Sequence, residues 1–140
     1  VAALRSVKNS RLCFGCGPEN DAGLRLTFES GASGRLRTRF VPREIHGGWE
    51  GVFHGGLMAT LLDEAMMAYL FRNGIHAATA DLHVRFRKPV RLGEELVVEA
   101  WEEARRGRLI RMTAEARRRG VLVARASARC LEIPEEGTDS

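Results

Sequence analysis

Two adjacent carboxylates, Asp63 and Glu64, stand inside an apolar stretch that opens on a pair of glycines: His54-Gly55-Gly56-Leu57-Met58-Ala59-Thr60-Leu61-Leu62-Asp63-Glu64-Ala65. A carboxylate in apolar surroundings is costly unless it is paired or put to use. Glycines ahead of a helix let a ligand come close to backbone N–H groups that have no partner inside the helix. The combination points to a pocket whose amides receive a carbonyl oxygen, with an acid–base group one or two turns further on. Neighbours on a helix point about 100° apart, so Asp63 and Glu64 cannot face one site as a dyad.

The elements that would hold these groups can be read from periodicity and punctuation. The helix is expected from about Gly55 to Arg72, ended by Asn73-Gly74. Before it, Leu24 to Glu29 and Arg35 to Phe40 alternate apolar and polar residues, the pattern of half-buried strands, with Ser30 to Gly34 as the turn between them. A Gly-containing loop spans residues 42–53. Four more strands are expected at about Ala78 to Arg87, Glu95 to Ala104, Leu109 to Arg118 and Val121 to Glu132, with hairpins at Arg106-Gly107 and Arg119-Gly120. By alternation with Leu82, Asp81 and His83 are expected to share a face with Thr79. One long helix and about six strands imply an α+β domain with a mainly antiparallel sheet curled around the helix. Residues 1–140 read as one domain, with an irregular segment at 1–23 and a polar tail at 134–140. The sheet's second face and its edges need cover, so an oligomer is expected.

Composition narrows the function. A chain of 140 residues with 44% hydrophobic and 29% charged residues is ordinary for a soluble globular domain. No apolar run approaches the roughly 20 residues of a membrane span, and the start lacks the apolar core of a secretory signal, so no membrane partner and a cytoplasmic location are expected. The net charge of +4 comes mostly from Arg on alternating segments such as Arg35-Leu36-Arg37-Thr38-Arg39, without interleaved stacking aromatics, so nucleic acid is not expected as a partner. Three cysteines, Cys13, Cys16 and Cys130, do not make a disulfide framework. The single C-x-x-C at Cys13-Phe14-Gly15-Cys16 has no second pair, so it reads as a structural loop, and no metal or redox cofactor is expected.

The ordered elements resemble those of the hotdog-fold acyl-CoA thioesterases, in the branch with HGG at the start of the central helix, the PaaI-like thioesterase superfamily. The matching residues are His54-Gly55-Gly56, Asp63 nine positions after the histidine, Thr79-Ala80-Asp81-Leu82-His83-Val84-Arg85-Phe86-Arg87-Lys88-Pro89-Val90 and Gly93-Glu94-Glu95-Leu96. The entry segment from Cys16-Gly17 through Asn20 to Gly23-Leu24 matches as well. The resemblance runs from about Cys13 to Leu131. It implies a hotdog fold and hydrolysis of acyl-CoA thioesters to free acid and coenzyme A by a homodimer or homotetramer, with coenzyme A as part of the substrate. It implies that Asp63 activates water or attacks the thioester, and that the N–H of Gly56, or of Gly55, polarises the carbonyl. Thr79, supplied across the dimer interface, would position the water, with His54 near the thioester. Arg87 and Lys88 become contacts for the phosphates of coenzyme A, and His83 a further substrate or interface contact. Glu64 is then expected to bind a neighbouring Arg.

One position departs from the pattern. Many relatives carry Asn or Gln six residues before the histidine, where this chain has Gly48, leaving His46 or Glu50 as stand-ins. Two other activities remain compatible with these residues: an enoyl-thioester hydratase on the same fold, and a non-catalytic acyl-CoA binding protein. Met58, Met66 and Met67 are helix packing residues, some of which would line an acyl channel that Trp49 and Phe53 cap.

Overall fold

The computed structural model describes residues 9–134. Most of the tail expected at 134–140 and the first eight residues lie outside the described part. A single long helix, α1 (Gly55–Arg72), packs on a six-stranded antiparallel sheet made of β1 (Glu29–Ser30), β2 (Leu36–Phe40), β3 (Ala77–Phe86), β4 (Leu96–Arg106), β5 (Leu109–Arg118) and β6 (Val121–Glu132). The strand order is β1-β2-β4-β5-β6-β3. This is the α+β hotdog architecture, and α1 has the expected bounds.

The helix is held by a stripe at three- and four-residue spacing: Met58, Leu61, Leu62, Ala65, Met66 and Leu70 are all buried. Full burial of an aliphatic side chain such as Leu61 or Leu62 contributes about 1.5–3 kcal/mol. The sheet meets this stripe with small side chains, Ala100, Ala114, Ala116, Ala124 and Ala126, flanked by Val98, Ile110, Met112 and Val123. Small residues under the helix let it sit close, and the larger ones fill the margins. The β5–β6 connection is the two-residue turn Arg119-Gly120, both at positive φ (51° and 79°), which matches the twist of a hairpin.

Two expectations need correction. The strand read at Leu24 to Glu29 forms only at Glu29–Ser30. Arg25 takes a left-handed φ of 52°, which breaks the extended run. Leu24 and Leu26 are still buried, but their N–H groups donate to Phe14 O (2.7 Å) and Gly15 O (2.9 Å) instead of a neighbouring strand. The alternation correctly marked which side chains enter the core but misplaced the backbone partners.

The second correction concerns β3. Its pairing with β6 shifts between Thr79 and Asp81, so Ala80 is an extra residue. A one-residue slip moves every later side chain to the other face. Thr79 lies opposite Cys130, which is buried under the helix, whereas Asp81 lies opposite Arg129 and His83 opposite Ser127. Asp81 and His83 therefore do not share a face with Thr79.

The outer face of the sheet absorbs much of the positive charge. Arg35, Arg37 and Arg39 pair with Glu99, Glu29 and Glu95 at 3.2–3.3 Å. Glu115, mostly buried, takes both Arg117 (3.0 Å) and Arg125. The Arg35 guanidinium also lies 3.8 Å from the centre of the Trp101 ring.

Candidate active site

Asp63 points from the middle of α1 toward β3, where the Thr79 hydroxyl donates to Asp63 Oδ1 at 2.8 Å. The carboxylate is half-buried, and among the described residues it pairs with no Arg or Lys. Burial pushes its pKa above the usual carboxylate range, and the hydrogen bond from Thr79 pulls it partly back. Cys130, across the β3–β6 ladder from Thr79, completes this corner. Its thiol is pushed up to about 11, first by burial and then by the charge of Asp63. Nothing in the sequence marks Cys130 as a neighbour of Asp63; the strand register alone brings it there. Thr79 and Asp63 meet within one chain, not across an interface as the resemblance implied.

The start of α1 is organised by His54. Its backbone N–H donates to His46 O at 2.9 Å, and its carbonyl accepts from Leu57 N and Met58 N, both at 3.0 Å. The His54 side chain caps the helix: Nδ1 accepts the N–H of Gly56 at 2.9 Å. That bond occupies the donor first expected to receive a carbonyl oxygen. The N–H of Gly55 has no protein acceptor among the described residues, and it opens on a hollow of about 520 Å³ bounded by Gly47, Gly48, Trp49, Phe53 and His54. Trp49 is 86% exposed there, whereas Phe53 is mostly buried and presents only a small part of its surface to the hollow. Phe86, at the end of β3, lies beside Gly55, with ring carbons 3.7 and 3.8 Å from where a Cβ on Gly55 would sit.

Arg87 and Lys88 follow Phe86 directly, both exposed, and neither makes an ion pair among the described residues. They therefore stand at the helix-start end of the molecule. His83 is not part of this grouping: it lines a hollow on the outer sheet face with Asp81, Glu103 and Arg111. His46 is no stand-in for the missing amide. It is 1% exposed, with Nδ1 accepting from Arg43 N and Nε2 on Ala22 O, both at 3.0 Å. Gly48 lies against His54, where a Cβ would come within 3.2 Å of the ring. Glu64 binds no Arg among the described residues; its Oε1 accepts the Cys13 thiol at 3.3 Å. It borders an apolar cavity of about 420 Å³ walled by Leu26, Phe28, Met67, Phe71 and Ile75. Met67 alone of the helix methionines lines it, Met58 and Met66 being core.

Asp63 and the Gly55 N–H are both open to chemistry but far apart. Eight residues at 1.5 Å each separate them by about 12 Å along the axis. One thioester carbonyl cannot touch both within one chain.

Comparison with known proteins agrees with this architecture. The thioesterase superfamily profile matches residues 50–124, from the loop before the helix into β6. Acyl-coenzyme A thioesterase 13 from Homo sapiens is 33% identical over 78 residues, 54% of this chain and 56% of that protein. The Mus musculus protein of the same name is 31% identical over 78 residues. The match thus spans a little more than half the length of these curated relatives. Among solved structures, the thioesterase superfamily protein RHA08564 superposes with a TM-score of 0.76 at 26% identity, over 81% of this chain and 59% of that one. Zebra fish thioesterase superfamily member 2 gives 0.74 at 21% identity over 94% and 98% of the two chains. A hypothetical thioesterase of Streptococcus pneumoniae, solved with coenzyme A, gives 0.73 at 16% identity over 79% and 90%. The last two speak for the fold alone.

Proposed function

The chain belongs to the thioesterase superfamily, an enzyme superfamily, and from that membership we propose that it hydrolyses acyl-CoA thioesters to the free acid and coenzyme A. The observation that carries the reading is the Asp63–Thr79 pair: a half-buried helix carboxylate, held by one hydroxyl, with a raised pKa. A carboxylate in that state is a better base than a solvated one. The activity named for the curated relatives, acyl-coenzyme A thioesterase, supports the substrate class.

In this mechanism ionised Asp63 takes a proton from a water molecule as its oxygen attacks the thioester carbon. Thr79 holds the carboxylate in place. Negative charge collects on the carbonyl oxygen and is met by a preorganised backbone N–H at a helix start. The open donor is Gly55; the Gly56 N–H becomes available only if His54 lets go of it. Collapse of the tetrahedral species breaks the C–S bond, and the sulfur of coenzyme A leaves as the thiol with the proton that Asp63 took from water, which restores the carboxylate. Arg87 and Lys88, exposed at the same end as Gly55, would meet its phosphates.

The 12 Å gap is closed by a second copy. Strand β3 carries Thr79 and is the last strand of the sheet, bonded only to β6. Its outer edge is a run of ten residues, most of them exposed, including Leu82 and Phe86. A long, apolar, unpaired edge is a template for another strand. In a two-fold dimer joined there, each site would combine Asp63 and Thr79 of one chain with the helix start of the other. The active form is accordingly a homodimer or a tetramer built from it.

The test is release of free thiol from a panel of short, long and aromatic acyl-CoAs. Turnover of at least one class is expected. Binding of CoA esters with no thiol released would overturn the reading, in favour of an enoyl-thioester hydratase or a binding protein.

Thr79→Val gives a sharper reading of the pair. The hydroxyl stabilises ionised Asp63, so its loss raises the carboxyl's pKa further. The base form then persists only at higher pH, and the acid limb of kcat/KM should move up in pH. A lowered rate with an unmoved limb would mean that Thr79 does not act through Asp63.

A further inference from the structure

Away from Asp63, on the other side of the helix, Cys13, Cys16 and Glu64 converge. Their two sulfurs and a carboxylate oxygen all lie within 4.8 Å of one another. We propose that this cluster is a metal site, fitted to a zinc ion, in which the two thiolates and the Glu64 carboxylate are three ligands and the fourth position opens on the apolar cavity.

The donor chemistry selects the ion. Two thiolates with one carboxylate suit a borderline-soft divalent cation in tetrahedral geometry. Zn–S bonds of about 2.3 Å and Zn–O bonds of about 2.0 Å in a tetrahedron put a sulfur and the carboxylate oxygen about 3.5 Å apart and the two sulfurs about 3.8 Å apart. Cys13 Sγ already stands 3.3 Å from Glu64 Oε1. Cys16 Sγ, within 4.8 Å of both other ligand atoms, has to come inward by about 1 Å at most to complete the set.

The loop is shaped for this contact. Cys16 N–H donates to Cys13 Sγ at 3.4 Å, and Gly17 N donates to Cys13 O at 2.8 Å to close the turn. A Cβ on Gly15 would lie 2.4 Å from Glu64 Oε1, and one on Gly17 would lie 2.3 Å from Cys13 N. Real Cβ atoms do not approach so closely, so Gly17 is required by the backbone of the turn, and any side chain at position 15 would push the Glu64 carboxylate aside. Cys16 and Glu64 also line the 420 Å³ cavity, which leaves room for a water or another donor at the fourth position.

Electrostatics points the same way. Three acidic groups meet here, and Glu64 has no ion-pair partner among the described residues. Ligation by the two sulfurs displaces the proton of each thiol. A divalent ion replaces those two protons, so that Zn²⁺, two thiols and one carboxylate yield the bound site and two released H⁺. The consequence for the fold is a clamp between the segment around Cys13 and the central helix.

The test uses the reduced full chain, stripped with a chelator and titrated with Co²⁺ and then Zn²⁺. Binding of one Co²⁺ per chain with thiolate-to-metal charge-transfer bands is expected, and Zn²⁺ should displace it. Cys13→Ser and Cys16→Ser should each lose or strongly weaken the bands, while Cys130→Ser keeps them, since Cys130 is buried beside Asp63. Losing even an outer-shell partner costs a metal site about 10–100-fold, so Glu64→Gln, which removes a ligand, should weaken Zn²⁺ by about 100-fold or more. Absence of charge-transfer bands in the unsubstituted chain would overturn the proposal. So would bands that survive both serine variants or that depend on Cys130. The titration of the unsubstituted chain decides the matter even where a variant fails to fold, and none of these readouts depends on thioesterase activity.

Discussion

Asp63→Asn should lower kcat/KM for acyl-CoA hydrolysis by about 10²–10⁴-fold, the range that a positioned general base supplies. Asparagine keeps the size of the side chain and an acceptor for Thr79 Oγ1, now 2.8 Å from Asp63 Oδ1, so the local packing survives. The same change should stabilise the fold at neutral pH, by about 1 kcal/mol. The sign follows from burial. The Asp63 carboxyl has a raised pKa in the folded chain, so the folded state binds its proton more tightly than the unfolded one. Its contribution to stability is fully present below the unfolded-state pKa and is lost as pH rises through the folded-state value. At neutral pH the native chain therefore holds an ionised group at a cost, and asparagine removes that cost; at low pH the difference between the two proteins should vanish. Thiol-release kinetics and denaturant unfolding at two pH values check both halves. A variant that loses activity and also loses stability at neutral pH would mark Asp63 as a structural residue instead.

Gly55→Pro should lower kcat/KM by about 10²–10³-fold, the usual effect of deleting one oxyanion donor. The substitution is unusually clean here. Gly55 is the first residue of α1, where proline is well tolerated because that N–H has no helical partner. His54, which would precede the proline, already has φ −62° and ψ 128°, the extended region that proline demands of its neighbour. A Cβ at position 55 meets only Phe86 ring carbons at 3.7–3.8 Å, ordinary contact. Proline thus removes one N–H from an intact helix start. Gly55→Ala is the control: it keeps the N–H and adds the same first carbon, so it should retain most of the activity. Equal losses in the two variants would assign the effect to crowding. Full activity in the proline variant would return the oxyanion role to Gly56 and require His54 to release it.

Much of this protein was legible before any coordinates. The HGG start, the apolar run that follows and the Asn73-Gly74 stop set α1, because helix ends are decided by neighbours within a few residues, while its buried stripe emerged only against the sheet. Alternation located β2 and the later part of β3, strand-like runs between turn signals located β4, β5 and β6, and Arg119-Gly120 located a hairpin, all for the same local reason. Asp63 stood out because an acid inside an apolar helix is anomalous in any fold. The tertiary structure decided what depends on register and on distant chain segments. An extra residue at Ala80 left Thr79 facing Asp63 and turned His83 to the opposite side; no property of Ala80 announces a bulge, which is settled by pairing with β6. The capture of the Gly56 N–H by His54 follows from a side-chain rotamer. Glu64 was expected to meet an Arg and instead accepts the Cys13 thiol, because its own neighbours in the chain say nothing of the entry loop. Cys13, Cys16 and Glu64 meet only when the entry loop folds over the helix, and sequence spacing carries no record of that approach.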